Sequence, residues 1–596
     1  MNFGIPGSAD LAFDPAHVRG AAPRLAGWEL VYIAILLAFQ ISALSWQAWT
    51  LGLTFDEPWH LYASAKYWQG QDNTRPATVA PVAHIISGWV PSVLDVEVRD
   101  APGDKAVWAG DGAIETFFPL NREEVRRVFF WARAPFFIFP LLITALVWWW
   151  GRLLFGGQIA AFLAAAAALE PNLLAHGPLV NSDVSAAFGL LWVAFAGWRF
   201  WQKPGVFPLL HFAVSLAFAI ETKFSLLAFW LVAAGLVTLR YVLDRRWRWA
   251  AAAAPILAII CYAGLIASYQ FHAGKPSGVM FQKELYEKDF FQDADRDFLW
   301  KYVRIPLPPQ WVSGLNFLRN QGLEWGQPGY IAGRRIDPPE PFYFPLAMGV
   351  KFPIALQLLV FSGLLASAAA LARKRTKPAH AFVWVPAFLI FAMALPSHML
   401  PGIRYVFPAF PLLILGAGFA LEPLASRAWG RAVAGCLLLW LAVASARIYP
   451  QGLAYFNEWA GGPENGWKYL ADSNIDWGQN LPELQRYADE HNFEHAGIAY
   501  FGMGFPEHFS KPGQFDVVPT PFCMECVDTT VYKPKPGIYA ISVNMLLGFF
   551  WPPEYENYFQ YFQGREPVAK AGYSIFIYEV RAGDVPDENP EEPSAN

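Results

Sequence analysis

Thr54-Phe55-Asp56-Glu57-Pro58-Trp59-His60 sets two adjacent carboxylates between an apolar run ending near Trp46 and another beginning near Phe129. A carboxylate beside hydrocarbon is costly, and such residues in membrane proteins face an interior cavity and mark function. Neighbouring residues on a helix point about 100° apart, so only one of Asp56 and Glu57 faces a given ligand. The plain alternative is an Asp that caps the following helix, with a solvated Glu beside it.

The surrounding chain is that of a polytopic membrane protein. Of 596 residues 55% are hydrophobic and only 16% charged, with 27 Trp and 49 Phe, and mean hydropathy is +0.26. That apolar fraction exceeds a soluble domain's. The net charge of −5 carries no nucleic-acid signature. About 20 apolar residues cross the hydrocarbon. Stretches of this kind are 25–47, 129–150, 156–175, 183–201, 206–222, 224–243, 249–270, 343–371, 381–397, 405–422 and 431–447, which predict about eleven spans. The segment 1–24 is polar and the run after it is long enough to remain as a span, so it does not read as a cleaved signal.

Cations sort by position. Arg19 and Arg24, Arg152, Arg199 and Lys203, Arg245, Arg246 and Arg248, Arg373-Lys374-Arg375, and Arg427 with Arg431 fall at alternate ends of the runs. The positive-inside rule places those ends, with the amino-terminal segment 1–24, in the cytoplasm. The expected fold is then a helical membrane bundle over 25–447 with two outer loops, 48–128 and 271–342. A small outer α/β domain over 448–582 and a disordered acidic tail, 583–596, follow. Strand-like pieces in that domain are 497–501, 537–543 and 574–580. Cys523 and Cys526 form a Cys-x-x-Cys pair without a second pair for zinc, which leaves a local disulfide or two free thiols.

A second acidic segment, Glu170-Pro-Asn-Leu-Leu-Ala-His176-Gly-Pro-Leu-Val-Asn-Ser-Asp183, joins two runs on the same outer side. Ser182 and Asp183 are good N-cap residues, so capping competes with function there. His176 is a polar contact or a loop residue. The outer side also carries cations that the positive-inside rule disfavours: Lys223, Lys351, and Arg404 followed by Tyr405. Cations at outer helix ends call for an anion, and a phosphate is the fitting one; contact with lipid headgroups is the competing reading.

These segments resemble the bacterial phospholipid-carrier-dependent glycosyltransferases of the GT-C class, relatives of the protein O-mannosyltransferases and the aminoarabinose transferases of lipid A. Asp56-Glu57-Pro58 is similar to the family's acidic pair, and Leu174–Asp183 to its second-loop acidic segment. Thr222-Lys223, Lys351-Phe-Pro353 and Gly402-Ile-Arg-Tyr405 fall where the family places similar residues. The most specific match is Leu453-Ala-Tyr-Phe-Asn-Glu-Trp-Ala-Gly-Gly-Pro-Glu-Asn-Gly-Trp467, continued by Asp472-Ser-Asn-Ile-Asp-Trp-Gly-Gln479. Where the family commonly has His-Pro-Pro-Leu, this chain has Ala80-Pro-Val-Ala-His84, so neither mannose nor aminoarabinose specificity carries over.

The resemblance implies a polyprenyl-phosphate sugar as donor, an acceptor hydroxyl on a protein, lipid or glycan, and a bacterial inner-membrane enzyme with its active site facing the periplasm. It implies Asp56 as general base, with Glu57 and Asp183 orienting sugar or acceptor or holding Asp56 in place. Lys223, Lys351, Arg404 and Tyr405 would meet the phosphate, with His60, His176, Arg334 and Arg335 as further binding residues. The 271–342 loop would close over the donor. No nucleotide or redox cofactor is required, and a divalent cation between the carboxylates is unforced. The alternative is a lipid or solute transporter or flippase, which would place ionisable residues near mid-membrane rather than at one surface.

Overall fold

The computed structural model describes residues 25–69, 80–99, 109–270, 308, 311, 327–504 and 506–584. The segment 1–24, most of 271–326 and all but two residues of the acidic tail lie outside them. Among the described residues, eight helices are long and apolar enough to cross a membrane: Gly27–Thr50, Arg122–Phe155, Asp183–Gln202, Phe224–Leu243, Trp247–Tyr269, Ile354–Ala372, Ile403–Ala425 and Ala428–Ile448. Three shorter apolar helices, Gly157–Leu169, Val206–Thr222 and Pro378–Ala394, join them. Together these are the eleven stretches expected from hydropathy, although three fall short of a full span.

Two expected spans are broken, each for a local reason. The stretch 343–371 is two helices, Tyr343–Lys351 and Ile354–Ala372, divided at Pro353, because proline removes an N–H and clashes with the preceding turn. Gln357 then donates to the freed carbonyls of Gly349 (2.9 Å) and Phe352 (2.7 Å). The stretch 156–175 ends its first helix at Leu169. Glu170 then caps a short second helix, Pro171–His176, by accepting from the Leu173 amide at 2.6 Å, as an N-cap carboxylate ahead of proline does.

The bundle has two chemically distinct ends. The helices beginning at Asp183, Phe224, Ile354 and Ile403 each start beside Asp183, Lys223, Lys351 or Arg404. Each then finishes at a basic group: Arg199 and Lys203, Arg245 and Arg246, Arg373 to Arg375, or Arg427. Over the first end lie Glu57–Trp68, Pro81–Ser87, Val90–Val93 and Ala109–Phe117, so the described part of the 48–128 loop is largely helical.

The carboxy-terminal part also sits at that end. After the hairpin of β1 (Gly329–Ile331) and β2 (Arg334–Ile336) come β3 (Ala496–Ala499), β4 (Phe515–Val517), β5 (Gly537–Ser542), β6 (Ala569–Ala571) and β7 (Ile575–Val580). The last five form one sheet, β4-β3-β5-β7-β6, parallel at β4/β3/β5 and antiparallel beyond. The strand-like pieces read from the sequence are β3, β5 and β7; β4 and β6 are three residues each, too short to show alternation. Ile541, Phe576 and Tyr578 belong to the same continuous apolar core as Phe352 and Phe407 of the bundle. The domain is therefore packed onto the helices and shares their core. Cys523 and Cys526 are disulfide-bonded.

Candidate active site at one end of the bundle

Asp56 precedes the helix Glu57–Trp68, yet its side chain makes no cap hydrogen bond. Its carboxylate instead lies 3.2 Å from Nη1 of Arg404. Asp183 opens its helix in the same way. Its Oδ1 accepts from Lys223 at 2.7 Å and its Oδ2 lies 3.8 Å from Arg404. Two carboxylates and two cations, from four stretches far apart in sequence, thus form one alternating cluster. Asp183 is 4% exposed, whereas Asp56 is 27% exposed and the more accessible carboxylate.

Aromatic faces complete the surround. The Arg404 guanidinium lies 4.3 Å from the Trp477 ring centre and the Lys223 ammonium 4.8 Å from that of Tyr405. Such contacts strengthen as water is excluded. His176 packs between Phe407 (4.6 Å) and Trp477 (5.7 Å). Burial pushes its pKa down to about 3, so it is neutral and brings no charge to an anion. His60 is likewise buried, and burial holds it below its ordinary value against the pull of Asp56. Among the described residues, Asp183 Oδ2, Arg404 Nε, His60 Nδ1 and His176 Nδ1 are buried without a hydrogen-bond partner. Buried polar atoms are ordinarily paired, so such a concentration needs a reason.

Glu57 does something different from its neighbour. Arg133 donates to both of its oxygens, at 2.8 and 2.6 Å, and the amides of Thr54 (2.9 Å) and Val180 (3.1 Å) donate as well. Burial alone would raise its pKa, and the Arg133 charge and these donors bring it below the ordinary value. Arg133 also binds the carbonyls of Ala48, Leu51 and Gly52. Glu57 therefore ties the Asp56 turn to the end of the first helix and is not open to a substrate.

Three more expected binding residues lie away from the cluster. Lys351 is buried, donating to the Leu453 carbonyl (2.8 Å) and to that of Asn474, with its ammonium over Phe456. Its charge is spent on backbone, as its place before a helix break suggests. Arg334 is exposed, 3.8 Å from Glu340, and Arg335 donates to the Trp551 carbonyl at 2.6 Å. The β1–β2 hairpin that carries them rests on the carboxy-terminal domain, Tyr330 against Phe549. Most of the rest of the loop expected to close over a donor, 271–342, falls outside the described residues.

The motif Asp472–Gln479 holds the cluster together from two sides. The Phe55 amide donates to the Trp477 carbonyl (2.7 Å) and the Gly52 amide to that of Gln479 (2.9 Å), so this segment holds Asp56 from one side. Asn474 accepts from the Ile403 amide (3.0 Å) and Ser473 donates to the Pro401 carbonyl, which holds Arg404 from the other. Gly402, at φ 112°, allows that approach: a Cβ there would meet Ser473 Oγ at 2.9 Å. Asp472 adds a third carboxyl, in a left-handed conformation (φ 57°). Burial pushes its pKa up to about 7, Arg404 pulls it down and Asp56 opposes that pull. The signal for these residues in the sequence is the motif Asp472–Gln479 itself.

The molecule is thus a polytopic helical membrane protein with a charged, partly buried cluster at one end, clasped by a carboxy-terminal domain. No family profile matches the chain, and no curated protein sequence matches it. Among solved structures it is similar to ArnT from Cupriavidus metallidurans in the apo state, at 14% identity over 94% of this chain and 99% of that one, with a TM-score of 0.44. The same protein bound to undecaprenyl phosphate gives a TM-score of 0.43 at the same identity and coverage. The Saccharomyces cerevisiae protein O-mannosyltransferase Pmt1-Pmt2 complex bound to the sugar donor matches at 11% identity, over 73% of this chain and 91% of that one, with a TM-score of 0.49.

Proposed function

We propose that the protein is a membrane glycosyltransferase that moves a sugar from a polyprenyl-phosphate carrier to an acceptor hydroxyl. The observation that carries this is the Asp56–Arg404–Asp183–Lys223 cluster, which combines an accessible base with two cations at one end of a helix bundle. Asp56 takes the proton of the acceptor hydroxyl. The hydroxyl oxygen attacks the anomeric carbon from the face opposite the phosphate, the carbon–oxygen bond to phosphate breaks, and the configuration inverts. The phosphate leaves on the lipid, and Arg404 and Lys223 stabilise the charge it gains where water is scarce. Asp183 aligns both cations, while Glu57 and Lys351 brace the turns on which the site is built.

The helix bundle offers lateral access for a polyprenyl tail, which a soluble enzyme would have to enclose. The step uses no nucleotide or redox cofactor. A divalent cation would have to share Asp56 and Asp183 with Arg404, which already bridges them. The cluster is assigned to the outer face of a bacterial cytoplasmic membrane, with the basic helix ends and the amino terminus in the cytoplasm.

The test is Asp56→Asn in proteoliposomes supplied with radiolabelled polyprenyl-phosphate sugar. Loss of a general base lowers transfer by about 10²- to 10⁴-fold, while membrane insertion and lipid binding persist. Undiminished transfer would remove Asp56 from the role of base. In cells lacking the protein, the polyprenyl-phosphate sugar that accumulates identifies the donor.

A further inference from the structure

At the end of the bundle away from Asp56 lies a cleft of about 390 Å³ with a basic rim. It opens between the ends of the helices Arg122–Phe155 and Ile354–Ala372, the start of Pro378–Ala394 and the end of Ile403–Ala425. The last helix carries Arg404 at its start and Glu422 near its finish, which separates the two sites by roughly 25 Å at 1.5 Å per residue. The floor is apolar, with Leu154, Phe155, Ala370 and Phe419, and the rim holds Arg373, Arg375 and Lys377 against one carboxylate, Glu422.

The backbone arranges that rim. The helix ends with the Lys374 amide on the Leu371 carbonyl (2.9 Å) and the Arg375 amide on that of Ala370 (2.7 Å). Lys374 takes the left-handed conformation at φ 54°, where a side chain is normally replaced by glycine. The wrap brings Arg373 and Arg375 to the cleft, and Lys374 does not line it. Lys377 lies 3.8 Å from Glu422, and neither arginine has an ion-pair partner among the described residues. His380 stacks on Phe419 at 4.1 Å and closes one wall.

From the cleft an apolar stripe runs along the same helix toward the other membrane face. Leu358, Phe361 and Leu365 are 49%, 60% and 55% exposed. At spacings of three and four they share one helix face, which Ala369 continues into the cleft. An anionic head at the cations and chains along the stripe describe one kind of molecule.

We propose that this cleft binds the phosphate headgroup of an anionic membrane phospholipid, at a site separate from the Asp56 cluster. The two arginines hold phosphate oxygens as forked donors, and the acyl chains lie along Leu365, Phe361 and Leu358. Basic residues attracted generally to an anionic surface would not need a cleft: Arg245 takes the same left-handed turn at φ 56° but lines none of this one. Free phosphate shares the headgroup chemistry but has no use for the track.

The test uses the full chain in phosphatidylcholine nanodiscs titrated with phosphatidylglycerol, with bound lipid counted by native mass spectrometry. The wild type retains phosphatidylglycerol over phosphatidylcholine, and R373Q/R375Q weakens that retention by about tenfold or more. Glu422→Gln, which removes the opposing carboxylate, strengthens it. R245Q/R246Q, at the same end of the bundle and outside the cleft, leaves it unchanged. Equal losses in the R373Q/R375Q and R245Q/R246Q proteins would overturn the site in favour of general surface attraction. Displacement of the lipid by millimolar inorganic phosphate would overturn the lipid assignment.

Discussion

The Arg404 guanidinium lies over Trp477, 4.3 Å from the ring centre, and the two residues come from distant parts of the chain. Arg404 opens a bundle helix, whereas Trp477 belongs to the segment leading into the carboxy-terminal domain. A desolvated contact of this kind is worth about 2 kcal/mol. The domain therefore shapes the site directly.

Arg404→Lys keeps the charge and loses the guanidinium, whose Nη1 reaches both Asp56 and Asp183 and whose carbon lies over the indole. Charged hydrogen bonds contribute about 1.5–3 kcal/mol each, so transfer should fall about 10- to 100-fold with little change in melting temperature. Trp477→Phe, which keeps an aromatic face, should fall less than Trp477→Leu. Equal activities in these two variants would remove the ring face from the account.

Glu57→Gln should unfold the site without touching substrate. Arg133 would be left buried beside a neutral partner, and breaking a buried pair costs about 3–5 kcal/mol. The expected reading is a lowered thermal midpoint in detergent, with activity lost in step. A stable Glu57→Gln protein that had lost only activity would instead argue that Glu57 meets the substrate.

Gly402→Ala should be poorly tolerated, because φ 112° is unfavourable for a side chain and Ser473 Oγ stands in its way. Strain of this type is worth about 1–3 kcal/mol. Adding Ser473→Ala removes one close contact but leaves Asn474 Oδ1 at 3.0 Å and the backbone strain, so the double variant should recover little of the thermal stability. Complete recovery would show that the conformation itself is unstrained.

Asp476 makes a pH prediction. Its carboxyl is wholly buried, and burial pushes its pKa up to about 7 from 3.8 although the Gly478 and Asn544 amides donate to it. The folded value lies above the unfolded one, so this group's contribution is full below about pH 4 and is lost as pH rises through 7. Asp476→Asn lacks that loss. Its thermal midpoint should therefore gain on the wild type between pH 4.5 and 7.5, and a constant difference across that range would refute the assignment.

Much of the molecule could be read in advance. Eleven apolar stretches, their alternating cations and three of the five strands of the larger sheet follow from period and composition, which are local properties. Asp56, Asp183, Lys223 and Arg404 stood out because charges beside hydrocarbon need partners, and these four meet. Glu57 and Lys351 stood out for the same reason and yet serve as braces. Sequence spacing does not tell a carboxylate aimed at a cavity from one aimed at a neighbouring arginine.

By itself the chain determined a membrane bundle with charge sorted to its two ends, because the cost of polar groups in hydrocarbon acts on every residue independently of its neighbours. Only the tertiary structure decided which charges share a pocket, that Asp472 and Trp477 join them, and that Arg373 and Arg375 line a cleft at the far end. Those are distances between residues tens to hundreds of positions apart, set by packing, and no local pattern encodes them.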